Sequence, residues 1–116
     1  MSNYVIWHNP RCSKSRQTLA LLQDHSIEPT DVRYLETPPN TQQIRDVLKK
    51  LNLPAIDLVR RGEAAFKALG LSKDSSEADL IEAMSKEPVL IERPVVIHGN
   101  RAVLGRPPEN VLDLID

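Results

Sequence analysis

The chain has 116 residues, 41% hydrophobic and 27% charged, with four aromatics, one cysteine and a formal net charge of −1. That length suits a single domain spanning 1–116, and the near-neutral charge with few stacking platforms argues against general nucleic-acid binding. Apolar runs such as Leu19–Leu22 are far too short for a membrane span, and no secretory signal is visible, so a cytoplasmic protein is expected.

Tyr4-Val5-Ile6-Trp7 reads as a buried strand, interrupted by His8-Asn9-Pro10-Arg11. A helical pattern follows from about Ser13 to His25, carrying Leu19, Leu21 and Leu22. Pro29 breaks it, and Val32 to Leu35 resembles a second strand closed by Thr37-Pro38-Pro39. Strand, helix, strand favours a βαβ unit. Residues 40 to 53 give the clearest helix, with Asn40 as cap and Ile44, Val47, Leu48 and Leu51 at i, i+3, i+4 and i+7. Short helical pieces follow around Ile56 and Val59 and around Phe66 and Leu69, the latter ended by Gly70. Ser76 with Asp79 opens another helix before Leu80, Ile81 and Met84. The stretch from about 40 to 87 is therefore a helical insertion.

Val95–His98 and Arg101–Leu104 flank Gly99-Asn100, a two-residue loop suited to an antiparallel hairpin. Pro107-Pro108 then opens a last helix, with Val111, Leu112 and Ile115 expected as its buried stripe. The sum is an α/β chain with a thioredoxin-like fold: an N-terminal βαβ unit, a helical insertion and a C-terminal ββα unit.

Cys12 falls where the first strand turns into the first helix. There, free backbone N–H groups and the positive end of the helix dipole favour the thiolate, the form that attacks electrophiles. Ser15, one turn on, can direct its hydroxyl toward the sulfur, and Arg11, Lys14, Arg16 and His8 are close in sequence. Cys12-Ser13-Lys14-Ser15 is a CxxS motif, so no internal dithiol cycle is possible and any resolving thiol must come from another molecule. A tyrosine-phosphatase signature would need Arg six positions after the cysteine, where this chain has Thr18. His8, His25 and His98 match no zinc spacing, so no metal is expected.

The hairpin pairs His98 with Arg101 and, stepping back, Arg93 with Arg106. Two cations directly opposite are unfavourable unless an anion lies between them, and guanidinium forks match a small oxyanion. Each of these arginines precedes a proline, which keeps it extended. Pro94 is a candidate cis proline beside the thiol, and Arg60 and Arg61 are the remaining candidates for the same cluster, though their spacing alone does not place them at Cys12.

His8-Asn9-Pro10-Arg11-Cys12-Ser13-Lys14-Ser15-Arg16, Tyr34–Pro39, Leu58-Val59-Arg60, Arg93-Pro94 and Gly105-Arg106-Pro107 together resemble the glutaredoxin-coupled arsenate reductases. This is the ArsC family, related to Spx-type regulators, and the likeness is greatest to its short YfgD-like branch. The resemblance implies a catalytic cysteine at Cys12, a histidine just upstream at His8 and a thiolate-stabilising hydroxyl at Ser15. It also implies three oxyanion-holding arginines at Arg60, Arg93 and Arg106. The implied reaction reduces arsenate to arsenite through a Cys12–arsenic intermediate. Glutathione acts as co-substrate, glutaredoxin as partner, and no cofactor is tightly bound. Two other readings use the same cysteine: a glutathione-dependent mixed-disulfide reductase, and an Spx-like regulator, which the missing second cysteine disfavours.

Overall fold

The computed structural model describes residues 3–115. The chain forms two compact units, one built from the segments up to Thr37 and from Arg93 onward, the other from Pro38–Glu92.

In the first unit, strand β1 (Tyr4–Trp7), helix α1 (Ser13–Asp24) and strand β2 (Thr30–Val32) precede the hairpin of β3 (Val95–His98) and β4 (Arg101–Leu104). The four strands lie in the order β2-β1-β3-β4. β1 runs parallel to β2, with Val5 opposite Thr30, and antiparallel to β3, with Ile6 opposite Val96. One parallel pair joined through a helix, then an antiparallel hairpin on the other side of β1, is the thioredoxin-like arrangement that the order of elements predicts. β2 lies two residues earlier than expected. The Arg33 carbonyl accepts from the Glu36 and Thr37 N–H groups, so the chain turns where Val32–Leu35 suggested a strand. Tyr34 is buried within that turn, and its apolar character signalled burial rather than extension.

Alternation puts Tyr4 and Ile6 on one face of β1, where they form a core with Leu22 of α1, Val96 of β3, Val111 and Leu114. The last two belong to a 3₁₀ helix, Pro108–Leu114. Its buried residues are Pro108, Val111 and Leu114, a strict three-residue spacing, whereas Leu112 is exposed. The expected stripe of Val111, Leu112 and Ile115 assumed α-helical periodicity; three residues per turn select a different set. The Tyr4 hydroxyl donates to the Leu114 carbonyl at 3.0 Å, and its ring stacks on His98 with centroids 3.9 Å apart.

The hairpin closes as expected. His98 faces Arg101, and Gly99 opens the turn at φ 62°, a value natural for glycine.

The second unit is helical: α2 (Thr41–Leu51), α3 (Ala55–Leu58), α4 (Ala64–Ala68), α5 (Glu77–Lys86) and a 3₁₀ turn, Pro88–Leu90. α2 starts with a full capping box. The Asn40 side chain accepts from the Gln43 N–H while the Gln43 side chain accepts from the Asn40 N–H. α5, capped by Ser76, packs against α2, α3 and the 3₁₀ turn through Leu80, Ile81, Ala83 and Met84. Leu69 lies just past α4 and is exposed, so Phe66 is the residue of that pair that joins the core. Two backbone bonds, Arg60 N–H to Leu90 O and Glu92 N–H to Leu58 O, tie the segment after α3 to the end of the unit.

Candidate active site

Asn9 organises the loop that carries the chain from β1 into α1. Its carbonyl accepts from the Cys12 N–H at 2.9 Å, and its side-chain oxygen from the Arg11 N–H at 3.0 Å. Cys12 thereby becomes the N-cap residue of α1, with extended φ/ψ of −93° and 123°. Its thiol is free and half-buried. Burial alone pushes the thiol up, but other contributions outweigh it and leave the group below its ordinary value. These are the Ser15 N–H, the hydrogen bond and charge of Arg93, and the Lys14 N–H. The helix start thus acts on the sulfur as anticipated.

Ser15 contributes to the sulfur through its N–H, while its hydroxyl turns elsewhere. Ser15 Oγ lies 2.7 Å from His8 Nδ1 and accepts from the Asn9 N–H at 3.0 Å. The hydroxyl hydrogen can then be donated to Nδ1 of a neutral imidazole. Burial, the main influence on His8, lowers its pKa, with Arg33 and Arg16 acting the same way against the opposing charge of Asp31. His8 and Ser15 are both buried.

The hairpin brings both of its arginines to this loop. The ladder from Val95 opposite Leu104 continues through the Gly105 N–H, which donates to the Pro94 carbonyl at 2.9 Å. Arg106 Nη1 reaches back to the Arg93 carbonyl at 3.1 Å and lies 3.9 Å from Cys12 Sγ. The peptide bonds Arg93-Pro94 and Arg106-Pro107 are both cis. Cys12, Arg93 and Arg106 therefore form one cluster, two cations on one sulfur.

Arg60 lies in the second unit, at the edge joined to Leu90 and Glu92. Its guanidinium pairs there with Glu63 at 3.4 Å and Glu92 at 3.6 Å. Arg61 beside it is exposed.

Two residues have packing roles here that the sequence did not signal. Thr18 is buried on α1 and donates to the Lys14 carbonyl at 2.8 Å, with the Gly105 carbonyl 3.4 Å away. Gly105 sits against it so closely that an added Cβ would fall 2.7 Å from Pro94 Cγ and 3.0 Å from Thr18 Cγ2. Ser15, Thr18 and Leu22 share one helical face at i, i+3 and i+7, a periodicity visible in the sequence once polar residues are counted as core. No group of three or more His, Cys, Asp or Glu suited to a metal ion occurs among the described residues.

A thioredoxin-like unit with one thiol at a helix start, opposed by two arginines from the hairpin, defines a class of single-thiol proteins. The chain matches the model of the ArsC family over residues 7–114. It is 49% identical to the YfgD protein of Escherichia coli strain K12 over 95% of this chain and 94% of that protein. To a Haemophilus influenzae protein named arsenate reductase it is 42% identical, over 96% and 97%. A solved structure named as an arsenate reductase from Vibrio cholerae superposes with a TM-score of 0.93 at 42% identity, over 97% of each chain. The chain belongs to the ArsC family.

Proposed function

We propose that this protein is an arsenate reductase that works through a covalent Cys12–arsenic adduct. The observation carrying the reading is the convergence of Arg93 and Arg106 on a thiol whose anion the helix start favours. Family membership and relatives named arsenate reductase support it. An anionic nucleophile attacking an anionic substrate meets repulsion, and guanidinium groups at the point of attack offset it.

The Cys12 thiolate attacks arsenic, forming an S–As bond while one arsenate oxygen leaves as hydroxide or water. Arg93 and Arg106 hold the remaining oxygens, and the family resemblance adds Arg60 to them. Glutathione, as thiolate, then attacks Cys12 Sγ. The S–As electron pair stays with arsenic, which falls by two oxidation units and leaves as arsenite, while the two sulfurs are oxidised to a mixed disulfide. A glutaredoxin thiolate takes the glutathione and restores the Cys12 thiolate. With one cysteine in the chain, both reducing thiols come from outside. His8, whose burial disfavours the charged imidazolium, is joined to Ser15 and so helps hold the loop that presents Cys12.

The test is consumption of NADPH with arsenate, glutathione, glutaredoxin and glutathione reductase. Dependence on every component, lost in Cys12→Ser, is the expected result. Faster turnover of a glutathionylated peptide than of arsenate would assign the protein to mixed-disulfide reduction instead.

A further inference from the structure

A concavity of the first unit, about 390 Å³, lies between the His8–Arg11 loop and the turn at Arg33–Glu36. One wall is therefore the loop whose next residue is Cys12. The side chains around it carry both signs of charge and one apolar surface. The Arg11 side chain is exposed and has no ion-pair or hydrogen-bond partner among the described residues. Arg33 is held through Nε, which donates to both Asp31 carboxylate oxygens at 3.0 and 2.9 Å. That bond fixes the guanidinium and leaves its two terminal nitrogens for a ligand. Glu36 supplies a carboxylate and Leu35, 42% exposed, an apolar floor.

Two anchored or open guanidinium forks, a carboxylate and an apolar contact suit a ligand with carboxylates, an ammonium group and a short uncharged stem. They do not suit a bare oxyanion, which needs cations alone. The chemistry at Cys12 calls for such a ligand, because the cysteine has no resolving partner in the chain and the loop that walls the cavity leads directly into it.

We propose that the cavity between the His8–Arg11 loop and the Arg33–Glu36 turn seats the small thiol that attacks at Cys12, with Arg11 and Arg33 binding its carboxylates and Glu36 its ammonium group. This deepens the reading of the protein as a reductase served by glutathione, a peptide with two carboxylates and one ammonium, and rests on that reading for the thiol's role. Binding itself does not depend on arsenate being the substrate.

The experiment measures binding of S-methylglutathione, which cannot react, to wild-type protein and to Arg11→Gln, Arg33→Gln and Glu36→Gln, by amide chemical-shift titration. Expected are shifts concentrated at residues 8–11 and 33–36, and affinity about tenfold lower for each arginine variant, the size of one lost charge-assisted contact. S-methylglutathione amidated at its glycine carboxylate, and so one carboxylate short, is expected to bind wild type more weakly and to lose less on removal of one of the two arginines. Shifts centred elsewhere, absence of binding, or equal affinity in well-folded variants would overturn the assignment. Specific binding without arsenate turnover would leave the cavity assigned and remove only the choice of substrate.

Discussion

The guanidinium of Arg106 donates to the backbone carbonyl of Arg93 at 3.1 Å, so one arginine of the hairpin fixes the chain position of the other. The same nitrogen lies 3.9 Å from the Cys12 sulfur. A like-charged pair that would repel across an ordinary hairpin is here arranged around a sulfur able to become an anion.

The first prediction concerns that arrangement. Arg93 acts on Cys12 by both hydrogen bond and charge, and the thiol lies below its ordinary value of 9.0. The alkylation rate of Cys12 with iodoacetamide should therefore reach half-maximum below pH 9.0, and Arg93→Ala should move that midpoint upward. Arg106→Lys keeps the charge but cannot bridge carbonyl and sulfur in the same way. It should lower kcat/KM for arsenate by about tenfold to a hundredfold. Steady-state kinetics check the second outcome; an Arg93→Ala midpoint equal to wild type would contradict the first.

Ser15 gives a stability prediction. Its hydroxyl satisfies the Asn9 N–H and faces His8 Nδ1, with His8 and Ser15 buried and Asn9 half-buried. Ser15→Ala leaves both groups without that partner and should cost about 1–3 kcal/mol. Urea denaturation measures it as a lower midpoint at unchanged slope.

His8 predicts how stability depends on pH. Burial first, then Arg33 and Arg16, set its folded-state pKa below the ordinary 6.5 despite Asp31. In the pH range just below 6.5 the unfolded chain binds more protons there than the folded one, so stability rises with pH. The contribution is complete above 6.5 and is lost as pH falls toward the folded value. Urea midpoints of wild type should therefore decline on acidification below 6.5, and His8→Gln should show a shallower decline. Parallel profiles would mean that other groups carry the dependence.

The hairpin was legible in the sequence to the residue. A glycine at the first turn position sets the register that pairs His98 with Arg101 and carries Arg93 and Arg106 to one end. Cys12 was legible for a similar reason, since a strand followed at once by a helix leaves a predictable set of unpaired N–H groups. What escaped was tertiary. Thr18 looks like a surface residue of a helix, yet it is buried against Gly105 at the hairpin end, and Ser15 is buried with its hydroxyl turned to His8 rather than to the sulfur. The C-terminal 3₁₀ helix and the displaced β2 share a cause: apolar residues mark burial, and burial alone does not say whether the backbone repeats every two, three or 3.6 residues.

Gly105 provides the last prediction. It follows β4 and precedes Arg106, and its N–H bonds to Pro94, the residue after Arg93. A methyl group there would meet Thr18 on one side and the Pro94 ring on the other. The Pro94 ring is buried and Thr18 is hydrogen-bonded into its helix, so neither can retreat far. Gly105→Ala should thus destabilise the first unit by about 1–3 kcal/mol through overpacking. It should also loosen the coupling of the arginines to Cys12, raising the pH midpoint for alkylation. Adding Thr18→Ala removes the side chain on one side of the clash and should recover part of the lost stability, whereas Thr18→Ala alone should be destabilising. A double mutant no more stable than Gly105→Ala would show that the Pro94 contact, rather than Thr18, excludes the side chain.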